Sequence, residues 1–386
     1  MKRVLALIFT VAFLLSGCFF MAEHKSPQIP REGLSADDSV YPIYDNLNHT
    51  EKGIWANIRK AAEEHSSEEI FVGEYASQAE LDRAKTRLNH FMRELSYTYP
   101  DFFWLDAHSF QMFTTQRDEL YELSIVLQYI VDETQAQDMC IAYENAVADI
   151  VYEAEKKEDL FDRVLYVYDT ILETAKYDYE LAESDETSDL GRTAYGCLVE
   201  GETVCSGYAM AFRTIMDRLG IECGVEFNSY SDIRLSSDGH VWNYCKLDGE
   251  YYYFDLTWDD TGFDSEEYRD TIPYSHLYFG ITADELGSST YDIDPNAPTP
   301  ACNGTKYNYF IHEGLSFSEY DYDTVAEVLR AYQYDPQITL RFDSYFELEQ
   351  AVTHLIEEQM VFQALPSLTT LSYLASETDH HLVLIF

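Results

Sequence analysis

The stretch Gly201–Asp260 reads GETVCSGYAMAFRTIMDRLGIECGVEFNSYSDIRLSSDGHVWNYCKLDGEYYYFDLTWDD. Cys205 stands just ahead of Tyr208, Phe212, Ile215, Met216 and Leu219. Those apolar positions recur on one face of an α-helix, and Gly220 follows where a left-handed C-terminal cap is expected. The spacing predicts a helix beginning near Ser206, with Cys205 at its positive end. That position favours the thiolate, the reactive form of cysteine. Gly207, lacking a Cβ, would let a second backbone approach closely. A lone cysteine at a helix start is more often a small buried residue than a nucleophile, so the weight rests on a histidine and an aspartate further along the chain.

Two runs rich in strand-forming residues come next, His240–Lys246 and Tyr251–Thr257. Between them Asp248-Gly249 is the preferred core of a two-residue hairpin. With that loop, Leu247 faces Glu250, and His240, Trp242, Asp255 and Thr257 share one face of the ladder. His240 and Asp255 become diagonal neighbours, and a one-residue slip would separate them to opposite faces. An aspartate inside Tyr-Tyr-Tyr-Phe-Asp-Leu-Thr-Trp is out of place unless paired, because charges are rarely set in so apolar a strand. A carboxylate there can hold an imidazole in one tautomer.

Three segments, Val204–Ala209, Gly239–Asn243 and Tyr253–Asp260, resemble the signature blocks of the transglutaminase-like cysteine proteins, in the order Cys, His, Asp. Ala194–Glu202 resembles the approach to the cysteine in bacterial members. The likeness extends over about Leu160–Leu286. It implies a papain-like α+β fold, a helix bearing the cysteine packed on an antiparallel sheet bearing the histidine and aspartate. By resemblance Cys205 is the nucleophile, His240 the general acid/base and Asp255 its orienter. It also implies a side chain upstream of the cysteine that helps bind an oxyanion. Tyr177, Tyr179 and Tyr195 are all candidates, beside the main-chain amide of Cys205. The family includes amide-forming transferases, peptidases, amidases and inactive members, so the fold does not fix the substrate. The expected function is amide chemistry on peptide or protein through an acyl-enzyme. The alternative is an inactive binding or scaffold module of the same fold.

The chain opens with Met-Lys-Arg, an apolar run Val4–Leu15 and Leu15-Ser-Gly-Cys18. This reads as a signal peptide over residues 1–17, shorter than the ~20 residues needed to span a bilayer. Cys18, by its likeness to a bacterial lipoprotein processing site, is the expected lipid-bearing first residue. The expected location is the outer face of a bacterial cell membrane. Residues 18–40 read as a tether. With 70 acidic against 25 basic residues the net charge is −45, which argues against nucleic acid as a partner. The seven cysteines show no metal-ligand spacing, and no metal or cofactor is expected. One disulfide is open to an exported chain, with no pairing legible.

Residues 41–158 read as an N-terminal α+β module. It has helices over Lys52–Glu64, Gln78–Leu95 and Glu133–Glu155, and strands over Asp101–Leu105 and Leu120–Val131. The catalytic module is expected over 159–291, opening with a helix Leu160–Lys176. Asp259–Asp264 lacks the ligand alternation of a calcium loop and reads as solvated. A proline-rich linker, Asp292–Pro300, precedes a C-terminal α+β module over 301–386. That module has expected strands Tyr307–Ser316, Gln337–Phe342 and Leu382–Phe386, and helices Tyr322–Tyr332 and Glu347–Glu358.

Overall fold

The structure, a computed structural model, describes residues 34, 44–184, 186–228, 239–260, 274–287, 293, 299–378 and 380–386. The expected signal peptide, Cys18 and nearly all of the expected tether lie outside these residues, as do residues 261–264 of the acidic loop. Among the described residues no helix is long and apolar enough to cross a membrane.

The first elements are α1 (His49–Glu63), β1 (Ile70–Tyr75), α2 (Gln78–Thr98), β2 (Leu105–Arg117) and β3 (Leu120–Tyr129). Asn48 opens α1 with a reciprocal capping box to Glu51, which satisfies backbone donors the helix cannot pair internally. The strands form an antiparallel sheet of order β1-β3-β2. Both helices bury their apolar stripes on it, through Ile54, Trp55, Ile58, Leu81, Leu88, Phe91 and Leu95. Two details depart from the sequence reading. Residues 101–104 are largely turn and the strand begins at Leu105; β1, with only Ile70, Val72 and Tyr75 as apolar buried positions, gives too short an alternation to read.

Helix α3 (Glu133–Glu155) follows, then α4 (Leu160–Thr174), β4 (Lys176–Tyr177), α5 (Tyr179–Glu183), β5 (Glu202–Thr203) and α6 (Cys205–Arg218). Although sequence alone groups α3 with the preceding module, Ala136, Tyr143, Val147 and Ile150 pack into one core with α4 and α6. Tyr143 also hydrogen-bonds Thr214 of α6 at 3.1 Å. Helix α6 ends as its sequence predicts. Gly220 has φ +73°, and its N–H and that of Ile221 donate to Asp217 and Met216, the pairing of a left-handed cap.

The sheet behind α6 contains β6 (Cys223–Phe227), β7 (Val241–Leu247), β8 (Glu250–Phe254) and β9 (Phe279–Ile281), antiparallel and in that order. The hairpin turn is the expected one: Asp248 and Gly249 have φ 51° and 91°, and Leu247 faces Glu250. Its strands are trimmed, however. β7 starts one residue after His240, and β8 stops at Phe254, where Asp255 caps α7 (Leu256–Asp259). Thr257 is therefore helical, not a strand partner of His240.

The remaining strands, β10 (Ser316–Phe317), β11 (Gln337–Phe342), β12 (Ser372–Ser376) and β13 (His381–Ile385), form a sheet of order β10-β11-β13-β12. Helices Tyr322–Ala331 and Tyr345–Val352 contribute to its core. The expected strand Tyr307–Ser316 is instead a short helix, Tyr309–His312, whose start Asn308 caps through Ile311 N–H. An asparagine with a free acceptor prefers that role to a ladder position. The described chain is thus a mixed α+β structure in which α6 is clamped between α3, α4 and an antiparallel sheet.

Candidate active site

Cys205 is the first residue of α6, preceded by extended Val204. The turn 191–193 buttresses this start. Thr203 Oγ1 and Val204 N–H donate to Gly191 O at 2.7 and 3.1 Å, and Ser206 Oγ donates to Arg192 O at 2.9 Å. Gly207 makes that approach feasible: a Cβ there would lie 1.9 Å from Thr203 Oγ1 and 2.8 Å from Thr193 O. On the other side, Asn243 Nδ2 of β7 donates to Ala209 O at 3.0 Å and to Gly224 O at 3.1 Å. One amide thereby fastens the cysteine helix to the sheet.

The two strand ends bring the acid and the imidazole together. His240 Nε2–H donates to Asp255 Oδ2 at 2.6 Å. The other carboxylate oxygen, Oδ1, accepts from the backbone N–H groups of Thr257 and Trp258 at 3.0 and 3.2 Å. Asp255 is 1% exposed, and Tyr168 of α4 donates to its carbonyl at 3.0 Å. The carboxylate is therefore fixed from two directions before it meets the ring. The ring lies between Trp242, stacked at 5.8 Å, and Trp258, edge-on at 6.0 Å.

With Nε2 committed to Asp255, Nδ1 is left open, and Cys205 is close enough to act on the ring's protonation. Burial pushes the imidazole pKa down. The Asp255 charge and hydrogen bond, joined by Cys205, outweigh it and raise it from 6.5 to about 10. This environment favours an imidazolium facing a sulfur. Cys205, His240 and Asp255 are thus brought into one constellation.

The three tyrosine candidates separate. Burial does most to raise the Tyr177 phenol pKa, the Cys205 charge comes next, and Asp255 adds to it, so this hydroxyl is held protonated within electrostatic reach of the sulfur. Tyr179 packs edge-on against Tyr177 at 5.2 Å. Tyr195 is a buried core residue whose ring is tilted against Phe103 at 4.7 Å. Sequence reasoning missed Tyr97, at the end of α2. Its phenol pKa is raised by burial and by charges that include Cys205. It lines a cleft with Phe103, His108, Arg192, Ser206 and Met210. A tyrosine on an amphipathic helix gives no sign that it faces a site.

The acidic loop needs correction at its start. Asp259 and Asp260 are 0% and 1% exposed, not solvated. Asp259 accepts from Tyr168 and Ser275 hydroxyls, both at 2.6 Å, and Asp260 accepts from Tyr208 at 2.7 Å. They tie α7 to α4 and α6. Among the described residues no group of histidine, cysteine and acidic side chains is arranged to hold a metal ion.

Comparison with known proteins gives one family match, the transglutaminase-like superfamily, over residues 146–256. Among solved structures, a TGase is similar at 16% identity and TM-score 0.26, over 38% of this chain and 44% of that one. A proposed cysteine protease from Cytophaga hutchinsonii is similar at 14% identity and TM-score 0.23, over 39% of this chain and 61% of that one. The chain therefore spans less than two thirds of either. A comparison with curated proteins found no match. The stretch matched by the transglutaminase-like superfamily model, residues 146–256, holds Cys205, His240 and Asp255.

Proposed function

We propose that this protein is a cysteine enzyme acting on amide bonds of peptides or proteins, with Cys205 as nucleophile, His240 as acid/base and Asp255 as the residue that orients His240. The observation that carries the reading is the 2.6 Å bond from His240 Nε2 to Asp255 Oδ2, with the opposite ring nitrogen left for the thiol. Cys205 Sγ, having given its proton to His240, attacks the carbonyl carbon. The oxyanion accepts from the Cys205 amide at the start of α6, with the Tyr177 hydroxyl close by. His240 then protonates the leaving nitrogen, and an acyl-enzyme remains. Water resolves it in a hydrolase, a second amine in a transferase. Hydrolysis is favoured here, since the sequence shows no device for excluding water. Export, with a lipid on Cys18, would place this activity at the cell envelope.

Two measurements test the reading. Iodoacetamide should label Cys205 selectively in the folded protein, and the label should vanish in Cys205→Ala while Cys223→Ala and Cys245→Ala retain it. Equal labelling at all the cysteines would count against an activated thiol. Mass spectrometry with envelope peptides and a primary amine then separates simple cleavage from amine incorporation. Absence of any acyl-enzyme across a peptide library would favour the scaffold alternative.

A further inference from the structure

Cys223 and Cys245 face each other across the ladder of β6 and β7. The kind of pairing matters. Lys246 N–H donates to Glu222 O, and Asn228 N–H donates to His240 O. Those two pairs are hydrogen-bonded positions in the same register, so Cys223 and Cys245, one step from Glu222 and Lys246, occupy a non-hydrogen-bonded position. There the Cα atoms of opposed residues are about 4.5 Å apart and the side chains approach most closely. A disulfide needs Cα atoms about 4.4–6.8 Å apart and Cβ atoms about 3.5–4.5 Å apart. Both side chains lie on the face that packs against α6, both are buried, and Cys223 is close enough to act on the Cys245 thiol. Both are free in this structure.

We infer that Cys223 and Cys245 are an oxidisable pair that closes as a cross-strand disulfide within the sheet behind the Cys205 helix. The inference goes beyond the proposed function and does not depend on it. β6 is the edge strand of its sheet, and Cys223 is its first residue, so fraying of that end exposes Cys223 before Cys245. The chemistry is thiol–disulfide exchange with a small-molecule disulfide as oxidant. Cys223 thiolate attacks one sulfur of the oxidant and releases one thiol. Cys245, deprotonated in turn, attacks the Cys223 sulfur of the mixed disulfide and releases the second. Two protein thiols are oxidised, one external disulfide is reduced to two thiols, and the two protons end on those thiols.

The bond has a consequence for the site. Asn243 Nδ2, which fastens α6 through Ala209 O, also lies 3.7 Å from Cys223 Sγ. Closing the pair anchors the edge strand beside that fastening and restricts the unfolded chain.

The test uses the full chain. The folded protein is incubated with glutathione disulfide, trapped with N-ethylmaleimide in denaturant and digested without reductant. A peptide pair joined through Cys223 and Cys245 is expected, lighter than its two parts by two hydrogens and separated by reductant. The melting temperature of the oxidised protein should fall by several degrees on reduction, and a Cys223→Ser/Cys245→Ser protein should show no such fall. Complete alkylation of both thiols after oxidation would overturn the inference. So would a Cys223–Cys302 link, or glutathione retained on Cys223 with no internal bond. Glutathione captured on Cys205 bears on the proposed nucleophile instead, so the two readings fail separately.

Discussion

Replacing Asp255 with asparagine tests the constellation through stability, without needing a substrate. His240 titrates at about 10 rather than 6.5: burial opposes the charged ring, and Asp255 supplies the largest upward influence against it. At about 1.4 kcal/mol per tenfold, the folded protein favours the imidazolium by on the order of 5 kcal/mol. The sign follows from the raised value. Below pH 6.5 the ring is protonated in both folded and unfolded chains, and the stabilisation is fully present. Between 6.5 and about 10 only the folded chain keeps the proton, so the contribution declines as pH rises and is gone above about 10. Asparagine keeps an oxygen for the Thr257 and Trp258 amides but presents no charge to the ring. The variant should therefore lose on the order of 2–4 kcal/mol at pH 6, most of the imidazolium stabilisation, and much less near pH 10. Urea unfolding of both proteins across that range reads the difference directly, other titrating groups being common to both. A stability difference that stays constant from pH 6 to pH 10 would refute the coupling. Activity should fall more steeply than stability. The asparagine NH2 group, a donor, opposes a ring donor and favours the tautomer whose Nδ1 carries hydrogen, which cannot take the thiol proton.

Three further perturbations address the supports of the site. Gly207→Ala places a methyl 1.9 Å from Thr203 Oγ1 and 2.8 Å from a backbone carbonyl; urea unfolding should show a loss of about 1–3 kcal/mol, and an unchanged midpoint would refute the close approach of the 191–193 turn. Asn243→Ala strips a buried donor from Ala209 O and Gly224 O and should cost about 2–3 kcal/mol, with slower iodoacetamide labelling of Cys205. Labelling at the parental rate would mean that this amide does not position α6. Tyr177→Phe, on any amide substrate that reports turnover, should lower kcat by roughly tenfold or more with KM little changed; a change confined to KM would make Tyr177 a binding residue.

The sequence is most legible where one local rule is sufficient. The helix after Cys205 and its glycine cap follow from apolar spacing alone. The register of the β7–β8 hairpin follows from Asp248-Gly249, because both residues accept positive φ and a two-residue turn leaves the pairing no freedom. The buried aspartates show where local rules end. Asp259 and Asp260 stand among polar neighbours and read as solvated, yet each accepts from a tyrosine hydroxyl 91 or 52 residues away. Only the folded chain supplies those donors. The stretch before Ser316 misleads for a related reason: Tyr307–Phe310 has strand composition, but Asn308 turns it into a capped helix.

Asp255 joins both cases, and it explains why the imidazole can be held so firmly. The hairpin register carries it to the His240 end of the ladder, and continued strand would leave its carboxylate anchored by one side chain only. Ending β8 at Phe254 converts it into the cap of α7, so that two amides fix one oxygen and the ring takes the other. A helix of four residues carries too few positions for a periodic signal, so the strand pattern dominates any reading of Tyr251–Thr257. The same shortening sets Trp258 against the imidazole and aims Asp259 at the Tyr168 hydroxyl, which also holds the Asp255 carbonyl. The strand-to-helix junction at Asp255 is thus the local event on which the orientation of His240 depends.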